Sequence, residues 1–402
     1  MTDGAVRRTR TGRQVLTVVG LGVVVAAFLA LFAQRHGFFD LKVYYGAVNY
    51  WVHDRGMLYD YLKPNSKYGF TYPTFAALTM LPMAVVPWAA AITISLLLSF
   101  AATGWLMWRL VDPISRREGW TRWYAYTVAL LLLAAFEPFR ETVGFGQVNM
   151  ILLGMVAADL LIPVARGRWW GGFGIGLATA IKLTPGIFIV YLLITRRFRA
   201  AAVAATTAAA ATLLAGALAP AASREFWTNA LWDTSRVGAL GFISNQSLQG
   251  LVARLEPLSP SRALWIVLVL AALGVWGWRV RTATLVDGLA LTGIVGCLIS
   301  PVTWVHHLVW LIPALILLVD RALTAGPRRR LLLGFAIVAY AILCSRLVWV
   351  WEHGSKGVVG FLGSNAYVYV SIALLCFVPV RSAVEAGDVP DLVEADPVSV
   401  RG

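Results

Sequence analysis

VLTVVGLGVVVAAFLALFA (residues 15–33) holds no charged residue. At 1.5 Å per residue, a helix of this length crosses most of a ~30 Å hydrocarbon layer. It is too long for a typical signal-peptide core and no small-x-small cleavage site follows it, so it is expected to remain as a membrane span. The basic stretch RRTRTGR (7–13) precedes it. Excess Lys and Arg mark cytoplasmic ends, so the chain leaves the cytoplasm here and RHGFFDLKVYYGAVNYW (35–51) emerges outside.

The rest of the chain repeats this pattern. Of its 402 residues, 59% are hydrophobic and 13% charged, and the mean hydropathy is +0.73. Soluble domains carry roughly 25% charged residues, so the composition is that of a polytopic helical membrane protein. The net charge of +14 is not a nucleic-acid signal. It is divided among short clusters between apolar runs: SRREGWTR (115–122), ARGRWW (165–170), TRRFRA (195–200), WRVRTA (278–283) and GPRRR (326–330). These read as cytoplasmic loops. Cys297, Cys344 and Cys376 lie within apolar runs and read as buried hydrophobes rather than a disulfide or metal set.

Following the basic clusters gives about twelve crossings, each near the ~20 residues a span requires, with both ends cytoplasmic. One stretch resists a simple count. Residues 72–110 could hold two spans, but the cluster at 115–122 asks for one net crossing. TYPTFAALTMLPMAVV (71–86) is therefore expected to be re-entrant or interfacial, broken by Pro73, Pro82 and Pro87. The organisation is a basic N-terminus (1–14), a single transmembrane domain (15–381) and a disordered acidic tail (382–402) containing EAGDVPDLVEADPVSV. No internal repeat is evident.

On this topology the outer side gathers ionisable and amide residues from separate loops, several within otherwise apolar sequence, where such groups are costly and mark function by default. Asp40 is the first. It could cap an interfacial helix or serve as a general base at the water–lipid boundary, and the two roles are compatible. Lys182, in LATAIKLTPGIFIV (177–190), could snorkel to headgroups or bind a lipid phosphate as a point charge. His306 and His307 are adjacent and should face different sides of a helix, one towards a phosphate or sugar and the other structural. They lack the i, i+4 spacing of a paired metal site. FRETVGFGQVNMILL (139–153) and FISNQSLQGLVARL (242–255) offer amides suited to sugar hydroxyls, and equally to turns and caps.

Read together, FFDLKVYYGAV and GMLYDY, YGFTYPTFAALTMLPM, GFGQVNMILL, GLATAIKLTPGIFIVYLLITRRFRAA, NQSLQGLVARL and SPVTWVHHLVWLIP resemble, in order and spacing, one family. It is the polyprenol-phosphate-sugar-dependent glycosyltransferase family of actinobacterial cell-envelope glycolipid synthesis. The likeness covers about residues 15–380 and is strongest to α-1,2-mannosyltransferases acting on phosphatidylinositol mannosides. It implies an all-α GT-C fold, an active site on the outer face of the plasma membrane and a polyprenyl-phosphate-mannose donor, with neither nucleotide nor metal. The family's motif aspartate, its catalytic base, matches Asp40. Its motif histidine matches His306 or His307, with His306 favoured for the donor phosphate. Lys182 and Arg140 are added as further phosphate partners on position alone. His307, Asn245, Gln246, Gln147, Asn149, Tyr44, Tyr72 and Trp304 are the candidates for sugar and acceptor binding.

The expected partners are the bilayer, the lipid-linked donor and a glycolipid acceptor, met by a monomer. Related activities of the family, lipomannan α-1,2-mannosyl or arabinofuranosyl transfer, remain open. A flippase for lipid-linked sugars is the rival from another class. It would place ionisable groups or broken helices at mid-membrane within repeats. Here Asp159 and Asp287 lie too near the inner ends to form such a path.

Overall fold

The computed structural model describes residues 3–32, 34, 36–233, 236, 238–354 and 357–382, with side chains from residue 11 onward. The expected disordered tail lies outside the described residues except for Ser382. In chain order the helices are α1 (Asp3–Phe32), α2 (Phe39–Val52), α3 (Thr74–Thr79), α4 (Trp88–Arg117), α5 (Arg122–Ala135), α6 (Glu137–Phe145), α7 (Asn149–Asp159), α8 (Phe173–Ile181) and α9 (Ile187–Ile194). They continue as α10 (Phe198–Leu218), α11 (Pro220–Glu225), α12 (Leu248–Leu255), α13 (Arg262–Val280), α14 (Leu285–Ile299), α15 (Ile312–Thr324), α16 (Arg329–Cys344), α17 (Gly357–Ser364) and α18 (Ala366–Phe377). Among the described residues β-pairing is confined to two isolated bridges, Leu62 with Gly69 and Ala283 with Ser382. The chain is an all-α, multi-pass membrane protein.

Five helices are long and apolar enough to cross a bilayer alone: Thr11–Phe32, Trp88–Arg117, Phe198–Leu218, Arg262–Val280 and Val305–Thr324. Two bent pairs bring the number to seven if each is one span. Glu137–Phe145 and Asn149–Val164 meet at 114°, and Gly357–Ser364 and Ala366–Phe377 at 59°. The sequence count of twelve also includes the shorter apolar helices at 122–135, 184–194 and 285–299. The short helices α8 and α9 are separated by a 3₁₀ turn at Pro185 (Thr184–Gly186), and the run after α7 closes in a π-helical turn that holds Pro163 (Leu160–Val164).

The prolines of residues 71–87 begin elements rather than merely breaking them. Pro73 precedes α3, Pro82 lies in the first turn of a 3₁₀ segment (Leu81–Ala84), and Pro87 precedes α4. A proline early in a helix forfeits only an N–H that would be unpaired anyway. The 30 residues of α4 then form one continuous helix.

Two hydrophobic cores result. The larger joins α4 to α9 with α13–α16 and α18. The smaller lies under α2, with Leu41, Tyr44, Ala47 and Val48 packed on Tyr59, Phe70, Ala76 and Phe226. Residues 41, 44, 47 and 48 share one helical face. Val148 and Ile181 pack against both cores, and the candidate site lies at this junction.

The acidic residues near the inner helix ends are occupied structurally. Asp159 accepts the backbone N–H groups of Gly172 and Ile175, each at 2.9 Å, tying the start of α8 to α7. Asp287 accepts from Arg321 at 2.7 and 3.0 Å and from the Arg381 backbone at 3.0 Å.

Candidate active site

Asp40 is the second residue of α2. Phe38, in the left-handed region with φ 56°, occupies the cap position, and no side chain caps the helix. The Phe38 N–H instead reaches the carbonyl of Gly144 at 2.9 Å, so the entry to α2 is pinned to the end of α6. Gly146 makes this approach possible. Its φ is +71°, and a Cβ there would stand 2.6 Å from Leu41 Cβ. The expected capping role of Asp40 is therefore not made by its side chain. Its Oδ2 accepts from Gln147 Nε2 at 2.6 Å.

That bond begins a chain of side chains. Gln147 Oε1 accepts from Tyr72 Oη at 2.8 Å. Tyr72 Oη in turn receives Tyr44 Oη at 3.0 Å and Lys182 Nζ at 3.3 Å. Lys182 lies in the break between α8 and the Thr184–Gly186 turn, so its side chain leaves the helix end and reaches inward. Its Nζ stands 3.0 Å from Asn149 Oδ1 and 2.9 Å from His307 Nε2. Asn149 also donates to the His306 carbonyl at 3.2 Å, which Thr142 holds from α6 at 2.7 Å. One connected network thus joins α2, α6, α7, α8 and the 3₁₀ turn Val305–Leu311.

Burial pushes the Asp40 carboxyl up to about 6, against the lowering effect of the Gln147 bond. Burial also raises the phenols of Tyr44 and Tyr72, which stay neutral donors at physiological pH. These groups line a cavity of about 590 Å³, within the usual range for ligand sites. His306 opens onto it from a position only 5% exposed, and its Nε2 has no partner among the described residues. A buried ring nitrogen without a partner is costly, which sets this atom apart from the paired groups around it.

The structure brings Asp40, Tyr44, Tyr72, Gln147, Lys182, Trp304, His306 and His307 together on the cavity wall, with Asn149 directly behind Lys182. The two histidines do not divide into one site and one structural residue. Their rings stand at 89° and 4.6 Å, and both face the cavity from a 3₁₀ segment. His307, expected to meet the sugar, lies against Lys182 instead.

Three expected residues are elsewhere. Arg140 turns towards α1, where its guanidinium covers the Phe28 ring at 5.0 Å and approaches the Phe32 carbonyl at 3.4 Å. The inward face of α6 is taken by Glu137 and Glu141, one turn apart and both paired with Arg346. Asn245 and Gln246 are fully buried and spend their amides on backbone. Asn245 donates to the carbonyls of Leu240 and Pro301 and accepts from Thr303 N at 2.9 Å. Gln246 donates to Ile243 and Ser364 and accepts from Val368 N. They brace the SPVTW turn that carries Trp304 and do not reach the cavity.

Other lining residues were not anticipated. His36 pairs with Glu141 at 2.9 Å and stacks on Phe145 at 4.0 Å. Trp349 and Glu352 enter from the end of α16. The signal for the latter was RLVWVWEHG (346–354), a Trp-rich acidic and basic cluster where an outer helix end was expected. Among the described residues no group of three or more His, Cys, Asp or Glu is arranged to hold a metal ion.

The chain has relatives among known proteins. A family model described as glycosyltransferase family 87 matches residues 70–301. The chain is 33% identical over 329 residues to a polyprenol-phosphate-mannose-dependent alpha-(1-2)-phosphatidylinositol mannoside mannosyltransferase of Mycolicibacterium smegmatis, covering 75% of this chain and 74% of that protein. A protein of the same description from Mycobacterium tuberculosis is 32% identical over 361 residues, 83% of each chain. A further M. tuberculosis protein, described as acting on phosphatidylinositol pentamannoside, is 30% identical over 392 residues, 93% of this chain and 88% of that one. No solved structure matches. The chain belongs to glycosyltransferase family 87.

Proposed function

We propose that this protein transfers mannose from polyprenyl-phosphate-mannose to a phosphatidylinositol mannoside, forming an α-1,2 linkage with inversion on the outer face of the plasma membrane. The observation that carries the reading is the joining of a carboxylate and an amine–imidazole pair in one cavity: Asp40 at one end of the hydrogen-bond chain, Lys182 and His307 at the other. Asp40 accepts the proton of the acceptor hydroxyl. The hydroxyl oxygen attacks the anomeric carbon from the face opposite the phosphate, a bond forms there, and the anomeric C–O bond to phosphate breaks. A β-linked donor then gives an α-linked product. The electron pair passes to the phosphate, which leaves on its polyprenol as a dianion. Lys182 and the unpartnered His306 Nε2 are the groups that stabilise this charge as it develops.

The relatives' printed substrates support the donor and acceptor class, and the basic clusters at 115–122, 165–170 and 195–200 support an outward-facing site. The test is to incubate purified protein with polyprenyl-phosphate-mannose and phosphatidylinositol mannosides bearing increasing numbers of mannoses. An α-1,2-mannosylated product is expected. Transfer of arabinofuranose from the corresponding donor, with none of mannose, would overturn the donor. A single cysteine placed at Ser66 and labelled by an impermeant maleimide in intact cells, but not in inverted vesicles, is expected for an outward site. The opposite labelling would overturn that orientation.

A further inference from the structure

The contacts around Lys182 fix where protons can lie. The backbone N–H of Trp304 points at His307 Nδ1 at 3.0 Å. A backbone N–H can only donate, so Nδ1 must be the accepting nitrogen, as when the third residue of a helical turn closes a capping box. A neutral imidazole has one donor and one acceptor. The His307 proton is therefore on Nε2, and this N–H faces Lys182 Nζ at 2.9 Å. An imidazolium is excluded by the same contact, because it would set a second N–H against that of Trp304. An ammonium offers three donors and no acceptor, so it cannot receive the His307 proton.

An unprotonated amine satisfies every contact. Its lone pair accepts from His307 Nε2–H, and its two hydrogens go to Asn149 Oδ1 at 3.0 Å and Tyr72 Oη at 3.3 Å. Asn149 is oriented independently, since its amide nitrogen donates to the His306 carbonyl. The other titratable groups around Lys182 are Asp40 from α2, Cys297 from α14 and His306. Asp40, and Cys297 if it were a thiolate, would favour an ammonium; Asp40 touches Lys182 only through Gln147 and Tyr72, and Cys297 donates its S–H to the His307 carbonyl at 3.6 Å and so carries no charge.

We propose that Lys182 is an uncharged amine in the empty site, and that binding of the anionic donor phosphate takes up one proton there and releases the His307 Nε2–H to bond the same phosphate. This rests on the reading of the cavity as the donor-phosphate site. The donor phosphodiester carries one negative charge. As it enters, the amine takes a proton from water, loses its lone pair and can no longer hold the imidazole. Lys182 and His307 then both donate to phosphoryl oxygens. The new charge also favours the ionised form of Asp40, so the donor prepares the base for the acceptor.

The test is calorimetric titration of the full-length protein with a mannosyl phosphodiester of a short polyprenol. Acceptor is omitted, and buffers of different ionisation enthalpy are used at pH 9. The diester does not titrate at this pH, so protons exchanged belong to the protein. Uptake close to one proton per donor is expected in the wild type and in Asp40→Asn. It should fall to near zero in Lys182→Arg, a cation at every pH tested, with donor still bound. Donor Kd in the wild type should rise towards tenfold per pH unit as the solution is made more alkaline.

Wild-type uptake near zero, with donor binding weakened in Lys182→Met, would overturn the uncharged amine and leave the phosphate site standing. Equal uptake in wild type and Lys182→Arg, or its loss in Asp40→Asn, would assign the proton elsewhere and also overturn the proposal. Unchanged donor affinity in Lys182→Met would overturn the phosphate reading beneath it. The folded state of each variant is checked by its elution as a single species.

Discussion

Gln147 and Asp40 are 107 residues apart in sequence and 2.6 Å apart in the fold. The amide occupies one carboxylate oxygen and leaves the other for the cavity. Because Gln147 Oε1 is itself held by Tyr72, the amide cannot turn its oxygen towards Asp40 without losing both bonds. Replacing Asp40 with Asn removes the proton acceptor while keeping size and helix preference. We expect transfer to fall by about 10²–10⁴, with the protein still folded. Near-normal mannosylation by this variant would sink the assignment, and a helix-dipole role alone predicts that mild outcome.

The pH profile follows from the same carboxyl. Burial raises it to about 6, and only the ionised form can accept a proton. This is the carboxyl of the free enzyme, so kcat/KM should climb about tenfold per pH unit below 6 and flatten as the pH passes it. Gln147→Leu deletes a bond that favours the carboxylate, so its acidic limb should move to higher pH. A loss of rate with an unmoved limb would make Gln147 a packing residue only.

Donor and acceptor effects should separate at the other end of the network. Lys182→Met and His306→Ala each remove a phosphate partner, and hydrogen bonds to charged groups are worth about 1.5–3 kcal/mol. The donor KM is expected to rise roughly 10–100-fold for each, with acceptor KM within about twofold. Initial rates measured against each substrate in turn check this. Arg140→Ala, although conspicuous in the sequence, should change neither KM by more than about twofold, because its guanidinium lies over Phe28.

What could be read beforehand was whatever depends on solvent preference. An uncharged run from Val15 to Ala33 declares its environment, and a carboxylate flanked by Phe39 and Leu41 is conspicuous in such a chain. Helical periodicity could not say which face of α6 turns inward, because Glu137, Arg140 and Glu141 are all polar. The choice is made by Arg346, some 205 residues later, which draws the two carboxylates and leaves Arg140 to α1. His36, Trp349 and Glu352 stand at helix ends, where composition records only that an interface is near. Their convergence is set by packing between distant segments, and so is the partnership of His307 with Lys182.

Asn245 shows why a polar motif can be decisive without touching substrate. Its amide meets three backbone groups in two loops: the Leu240 and Pro301 carbonyls and the Thr303 N–H. Asn245→Ala leaves the buried Thr303 N–H and the Leu240 carbonyl without this partner, while the Pro301 carbonyl keeps the Ser247 hydroxyl at 3.0 Å; the cost is about 1–3 kcal/mol for each group that water cannot reach. The expected outcome is a clearly lowered melting temperature in detergent. Trp304 closes the SPVTW turn and His307 lies just beyond it, so residual activity should show raised KM for donor while the pH limb set by Asp40 stays in place. Unchanged stability with a selective loss of acceptor binding would instead return Asn245 to the sugar site, where its residue type first suggested it belonged.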